Sequence, residues 1–283
     1  MNRLRSITRS LATAGRLGWA IESNWTDPFV FITYQVVRPL FGAFILVFMF
    51  QVVTGQPTTD VLFAQLYVGN AFFILVLQAM SGVGRIIFED REHYQMIRYI
   101  YLAPVGLGTY LTGRGLSKIA ATLAAVGITL VAGYLLFGIS LQMTLGNIPY
   151  LAIALVLGIA AMMALGIMLA AVTLVTAQHG FSMADGAGGV LFLLSGAVFS
   201  VDILPRWVVA ISHVLPLTYW LEAIRRVLLG VPFVESLSAL SDGEILWRLT
   251  WTTGATVILA GLILWGAERL AVATGKLDLK TDH

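Results

Sequence analysis

Few residues in this 283-residue sequence have the types and spacing that catalysis needs. A nucleotide-hydrolysing phosphate loop requires GxxxxGK[ST], and the nearest string, Thr274-Gly275-Lys276-Leu277, lacks both the spacing and the hydroxyl residue. The four histidines are scattered and form no HExxH pair, and the chain has no cysteine for thiolate chemistry or zinc binding. The sequence therefore indicates no catalytic residues, no metal site and no cofactor held by the chain itself.

The composition predicts a membrane protein. Hydrophobic residues make up 58% of the chain, charged residues 11%, and the mean hydropathy is +0.87, whereas soluble domains are about 25% charged. The stretch from Ile119 to Ala184 has 66 residues without Asp, Glu, Lys or Arg, more than three times the roughly 20 that cross a bilayer as a helix. A net charge of +2 is too small to indicate nucleic-acid binding. We expect an all-α polytopic membrane protein.

Uncharged runs and turn residues together predict six transmembrane helices. The longest run holds two of them, separated where Gly138, Gly146, Asn147 and Pro149 cluster. The predicted spans lie near residues 32–53, 62–86, 114–137, 149–175, 184–201 and 248–270. A further apolar run, from Trp207 to Leu221, has only 15 residues and is too short to cross the membrane. We expect segment 202–230 to form an external re-entrant helical hairpin between spans five and six.

The distribution of basic residues predicts the orientation. With the N-terminus in the cytoplasm, six spans place thirteen of the seventeen Lys and Arg residues on the cytoplasmic side, as the positive-inside rule requires. We therefore expect a multi-pass protein of the cell's inner (plasma) membrane with both termini cytoplasmic. Residues 29–270 are predicted to form one transmembrane domain and residues 271–283 a cytoplasmic tail.

Ionisable groups are missing from the middle of the predicted spans. An ion-coupled carrier normally keeps such groups there, so this absence argues against one. The polar residues at depth are predicted to form hydrogen bonds between helices. They are Gln51, Gln65, Asn70, Gln78, Ser81 and Ser195.

Two cytoplasmic segments are amphipathic. Residues 1–28 place arginines opposite an apolar helical face, which is typical of a helix lying on anionic lipid. That face comprises Ile7, Leu11, Ala14, Gly18, Ile21 and Trp25. In residues 88–102 we expect Glu89, Asp90 and Glu92 in the first turn of a helix, where they complement its macrodipole, and Pro104 to end it. Its apolar face would comprise Met96, Ile97, Ile100 and Tyr101.

Three motifs follow one another in a distinctive order. The first is Phe88-Glu89-Asp90-Arg91-Glu92 followed by Leu102-Ala103-Pro104. The second is Leu194-Ser195-Gly196-Ala197-Val198-Phe199 followed by Leu204-Pro205-Arg206-Trp207. The third and most specific runs from Leu215 to Arg226 and closes at Gly230. In this order they resemble the permeases of type-2 ABC exporters, and the resemblance covers essentially the whole chain.

The resemblance implies a half-transporter. Two permease copies, expected to be a homodimer, would work in the membrane lipid with two copies of a separate ABC ATPase subunit that binds ATP and magnesium. They would move an amphipathic or hydrophobic substrate outward, such as a drug, a lipid or a lipid-linked glycan, and multidrug efflux is one such role. Residues 1–28 would be the connecting helix and 88–102 the coupling helix that docks on the ATPase. The coupling residues would be Glu89, Asp90, Arg91, Glu92 and Arg98.

The resemblance also implies an external gate, and the absence of charge from the spans favours a pathway for an apolar or amphipathic substrate. The gate residues would be Pro205, Pro216, Tyr219, Glu222 and Arg225. Candidates for the pathway are Phe48, Phe72, Phe73, Phe192, Ser195 and Phe199, although aromatic residues at helical spacing more often pack than line a pocket. An ion-coupled secondary carrier or an intramembrane enzyme, working without an ATPase, stays open as the alternative function.

Overall fold

The computed structural model describes residues 2–23, 37–55, 57–58, 60–103, 106–176 and 180–275, and within these ranges it is all-helical, with no β-strand. The helices are α1 (Asn2–Ser23), α2 (Arg38–Thr54), α3 (Val61–Phe88), α4 (Ile97–Leu102), α5 (Leu107–Phe137), α6 (Ile148–Val175), α7 (Gly180–Leu194), α8 (Arg206–Ser212), α9 (Pro216–Leu229) and α10 (Asp242–Ala273). A π-helical turn, Glu89–His93, continues α3.

Four helical segments in the described part of the chain are long and apolar enough to cross a membrane, or five if the bent pair α8 and α9 counts as one span. The four are Val61–His93, Leu107–Phe137, Leu145–Val175 and Asp242–Ala273. They confirm a multi-pass helical membrane protein, while the count of six stays a prediction. The first predicted span begins outside the described residues. The fifth is shorter than predicted, because α7 ends at Leu194 and Gly196, with a φ of 73°, turns the chain.

Helix α3 lies at the centre of the bundle. It packs against α5, α6 and α7, and α6 in turn packs against α9 and α10. Bulky side chains of α3 are fully buried, among them Phe63, Phe73 and Met80. Helix α10 exposes Trp247, Trp251 and other large apolar side chains, as a lipid-facing helix does. The bundle therefore holds α3 rigidly and leaves α10 at its edge.

Helix α1 packs along the first part of α5. Small residues allow this approach, because Ala14 and Gly18 are buried and the Oγ of Ser117 donates a hydrogen bond of 2.8 Å to the carbonyl of Gly15. Arg16 stays exposed. The predicted apolar face of α1 therefore contacts protein, rather than lipid, along part of its length, and Trp25 of that face lies outside the described residues.

Candidate functional site

The acidic turn, Glu89–His93, lies at the C-terminal end of the long helix α3. The sequence prediction put its acidic residues in the first turn of a coupling helix over 88–102, and this placement is wrong. The chain instead continues the helical backbone of α3 through His93, breaks at Gln95, which has a φ of 50°, and begins the six-residue α4 at Ile97. Negative charge is unfavourable at a helix C-terminus, so the turn needs cations from elsewhere.

Helix α5 supplies those cations. The fully buried carboxylate of Asp90 forms an ion pair with Arg114, which is itself buried, and accepts a hydrogen bond of 2.8 Å from the hydroxyl of Tyr110. Glu89, whose side chain is 29% exposed, lies 3.4 Å from Arg114 and 3.6 Å from Lys118. The acidic turn is thus joined to α5 by a buried ionic contact.

The turn is also attached to α6. Arg91 is buried, pairs with Glu92 at 3.1 Å and reaches the carbonyl of Thr173 at 3.5 Å. Of the five predicted coupling residues, Glu89, Asp90, Arg91 and Glu92 therefore lie together, with only Glu89 and Glu92 partly exposed. The side chain of Arg98 lies outside the described part of the structure.

Helix α4 presents its other face outward. Ile97 and Ile100 are buried, as the predicted apolar face requires, whereas Tyr99 and Leu102 are 72% and 82% exposed. Tyr94, just after the acidic turn, is exposed as well. Neither Tyr99 nor Leu102 was predicted from the sequence as a site residue. The period of the helix contained the signal, since Tyr99 and Leu102 fall opposite the buried pair.

At the other end of the bundle, α8 and α9 form a hairpin, residues 206–229, bent by 78°. The hydroxyl of Thr218 donates to the carbonyl of Ser212 at 2.8 Å, and that of Tyr219 donates to the carbonyl of His213 at 2.9 Å. Pro216 begins α9, where its missing N–H costs nothing. Pro205 is exposed at the start of α8. The bend is therefore held by side chains of α9 that bond the end of α8.

Glu222 organises the loop after the hairpin. Its fully buried carboxylate pairs with Arg226 at 2.9 Å and accepts hydrogen bonds from the backbone N–H groups of Phe233 and Val234. Arg226 donates in turn to the carbonyls of Leu237 and Leu240, each at 2.7 Å. Arg226 was not predicted as a site residue, although its spacing of four from Glu222 was a usable signal.

Arg225 joins three elements. Fully buried, it donates to the carbonyls of Gln65 on α3 at 3.0 Å and of Gly196 and Ala197 after α7 at 2.9 and 2.7 Å. Its guanidinium lies 4.1 Å from the ring centre of Phe233. A Cβ at Gly69 would overlap the guanidinium, so α3 needs glycine there. The hairpin is therefore anchored in the bundle.

Asp202 bonds the segment before the hairpin to the loop after it. Its carboxylate accepts hydrogen bonds from the hydroxyl of Ser200 at 2.9 Å and the backbone N–H of Ser236 at 3.2 Å. Burial opposes ionisation, but the hydrogen bonds from Ser236 and Ser200 outweigh it and hold the pKa of Asp202 below its ordinary value. Ser236 also contacts the ring of His213 at 3.2 Å, so the segment before the hairpin, the hairpin and the loop after it meet here.

Three of the predicted pathway residues pack against neighbouring aromatic rings. Phe73 packs on Phe192 with ring centres 4.8 Å apart, and Ser195 is buried nearby, its hydroxyl 3.4 Å from the carbonyl of Phe192. Phe72 packs instead on Trp220 of the hairpin, with centres 5.7 Å apart. The two remaining candidates lie apart from these: Phe48 is exposed on α2, and Phe199 is half-buried after α7. Their role in a substrate pathway stays a prediction.

Within the described ranges, no three His, Asp or Glu side chains are placed to hold a metal ion. The sequence profile of the ABC-2 type transporter family matches residues 19–229, which include both the acidic turn and the whole hairpin of α8 and α9. The chain belongs to this family. An ABC-2 chain is the membrane permease component of a transporter and normally works with an ATPase partner. Comparison with curated proteins yields no match.

Proposed function

We propose that this ABC-2 chain is the permease subunit of an exporter driven by a separate ATPase. The observation that carries the proposal is the acidic turn, which is fixed to α5 by the buried Asp90–Arg114 pair and to α6 by Arg91. Beside it, α4 exposes Tyr99 and Leu102. An apolar surface rimmed by partly exposed carboxylates suits contact with another protein.

The contacts explain how force at this surface would reach the membrane. Separating Asp90 from Arg114 would leave two buried charges unpaired, which is costly, so the acidic turn and α5 move together. Helix α1 moves with them, because it packs closely on Gly113 and Ser117 of α5. We infer that α1, the acidic turn, α4 and the adjoining part of α5 act as one lever.

The assembly we propose has two permease copies and two ATPase subunits, with ATP and magnesium bound on the ATPase. The absence of a phosphate-loop pattern from this sequence supports that division. Helix α2 has one face of exposed apolar side chains, namely Phe41, Ile45, Phe48 and Val52. Such a face suits contact with either a second copy of the chain or lipid, and we propose that it contributes to the pairing of two permeases.

The substrate we propose is amphipathic or hydrophobic, such as a drug, a lipid or a lipid-linked glycan, and its direction is outward. Support comes from the external hairpin. Arg225 fixes it to α3, and Glu222 bonds it to the loop that follows, while the lever lies at the opposite end of the bundle. When the ATPase subunits close and move the lever, the anchored hairpin would therefore have to shift to open an exit for the substrate.

The decisive experiment purifies the chain alone and with an ABC ATPase encoded beside it. Hydrolysis of Mg-ATP is expected only in the complex and should rise when a transported substrate is added. Proteoliposomes that contain the permease alone, under an imposed proton or sodium gradient, test the ion-coupled alternative. Substrate movement in those vesicles would establish the ion-coupled alternative and overturn the proposal.

Orientation is tested separately, because the chain has no cysteine to give background labelling. A cysteine at Ser236 should react with an impermeant maleimide in intact cells, whereas one at Thr281 should react only after the membrane is opened. Labelling of Thr281→Cys in intact cells would contradict cytoplasmic termini.

A further inference from the structure

An open cleft of about 440 Å³ lies between α4, the start of α5 and the end of α10. This volume is in the range of small-ligand sites. Leu107, Val272 and Ala273 supply apolar lining, and Tyr101, Glu268 and Arg269 supply polar groups. The cleft opens at the same face of the bundle as the acidic turn, which places it at a membrane–water interface.

Two of its polar groups lack a partner. The hydroxyl of Tyr101 is buried and makes no hydrogen bond to the residues that the structure describes. The half-buried carboxylate of Glu268 has no ion pair or hydrogen bond within the described part of the chain. Burial and the nearby charge of Glu268 together raise the pKa of Tyr101 to about 12, so the phenol stays protonated at neutral pH. Buried polar groups normally have partners, so both indicate a missing ligand.

We expect the ligand to carry a cation with N–H donors. Such a group compensates the charge of the Glu268 carboxylate and can donate at the same time to the phenol oxygen of Tyr101. A primary ammonium meets this requirement, whereas a quaternary ammonium has no hydrogen to donate.

The ligand must also carry an anion beside its cation. Arg269 borders the same cleft, and its guanidinium lies 3.8 Å from the ring centre of Trp265. A guanidinium held over an aromatic ring is well placed to bind phosphate. Leu107 adds the first turn of α5, which has no side-chain cap and whose free N–H groups favour negative charge.

An apolar track leads from the cleft into the bilayer. Leu262, Trp265 and Val272 are exposed on α10, and with Arg269 they recur at helical spacing along one face. Acyl chains attached to a headgroup in the cleft would lie along these side chains.

We propose that this cleft binds the headgroup of an aminophospholipid of the phosphatidylethanolamine type. Its ammonium lies between Glu268 and Tyr101, its phosphate on Arg269, and its acyl chains along α10. Neighbouring acidic and basic groups match the neighbouring charges of this zwitterion, whereas phosphatidylglycerol brings no cation to Glu268. On the predicted orientation the lipid belongs to the cytoplasmic leaflet.

The test is native mass spectrometry of the purified full chain, titrated in detergent with phosphatidylethanolamine, phosphatidylcholine and phosphatidylglycerol of one chain length. Phosphatidylethanolamine should bind about tenfold more tightly than the other two, as the loss of one charge-assisted hydrogen bond implies. Glu268→Gln should abolish that preference, and Tyr101→Phe, which leaves the carboxylate in place, should reduce it. Arg269→Gln should weaken binding of all three lipids.

Glu235→Gln is the matched control, because Glu235 is an exposed acid at the opposite end of the bundle, and it should leave the preference intact. Melting curves in lipid-free detergent show whether each variant is folded. Equal affinity of the wild type for the three lipids would overturn the proposal, and so would a preference that survives Glu268→Gln in a folded protein. If the wild type shows no preference for phosphatidylethanolamine and the double variant Lys276→Ala, Lys280→Ala does, a lysine of the tail occupies the cleft in the wild type and the proposal is wrong. ATPase activity enters none of these measurements, so the result is independent of the proposed export function.

Discussion

Removing the carboxylate of Asp90 should loosen the lever without breaking the bundle. Asp90→Ala leaves Arg114 buried and deprived of its main partner, a loss of about 3–5 kcal/mol in the free energy of unfolding. Glu89 lies 3.4 Å from the same guanidinium, and a partly exposed pair of this kind recovers up to about 1 kcal/mol. The net loss is therefore about 2–4 kcal/mol, equivalent to a fall in melting temperature of roughly 5–15 °C for a domain of this size.

The assay follows melting in lipid nanodiscs alongside hydrolysis by the purified complex. The variant should still bind the ATPase, since Tyr99 and Leu102 are unchanged, but substrate should no longer stimulate hydrolysis. Glu89→Gln is the control and should cost at most about 1 kcal/mol, because its carboxylate is partly exposed. Combining Asp90→Leu with Arg114→Met removes both charges, so it should restore much of the stability.

Two results would refute this reasoning. If Asp90→Ala melts within about 2 °C of Glu89→Gln, which is under 1 kcal/mol, Arg114 must be neutralised by other groups. If Asp90→Ala is destabilised as expected but hydrolysis still responds fully to substrate, the buried pair supports the fold and transmits no force.

Three further outcomes are expected. Glu89→Lys should lower transport while membrane abundance stays normal, because it replaces the carboxylate that pairs with Arg114 and Lys118 by a third cation. If transport is unchanged and the ATPase is still bound, the acidic turn has no role in coupling. Gly69→Ala should reduce the folded fraction severely, since its Cβ would overlap Arg225. Gly254→Ala, with open space around it, should leave the folded fraction unchanged. Fluorescence size-exclusion chromatography measures the folded fraction of both variants. Because the pKa of Asp202 is lowered, its contribution to stability is complete above about pH 4 and is lost as the pH falls through the carboxyl's own pKa. Asp202→Asn should therefore lower the melting temperature at pH 7, and this effect should shrink as the pH falls below about 4. An effect that stays the same as the pH falls would exclude ionisation as the cause.

The sequence by itself determined the class and most of the long helices. Long uncharged stretches must form helices in a bilayer, because no other open structure satisfies their backbone groups, and the span predicted near 62–86 is α3, Val61–Phe88. Turn residues between 138 and 149 likewise separate α5 from α6. The ordered motifs identified the family, since they preserve residue types at fixed spacing.

Only the tertiary structure decided what the charges do. Asp90 was expected to begin a helix, yet it continues one, because Arg114, 24 residues further on, neutralises it in the core. The backbone carbonyls that bind Arg225 and the nearness of Tyr101 to Glu268 are equally invisible in the sequence. Local patterning sets which segments are helical, since it depends on neighbours within a few residues. The partner of a buried charge depends on which distant helices pack together, and that is settled only when the bundle forms.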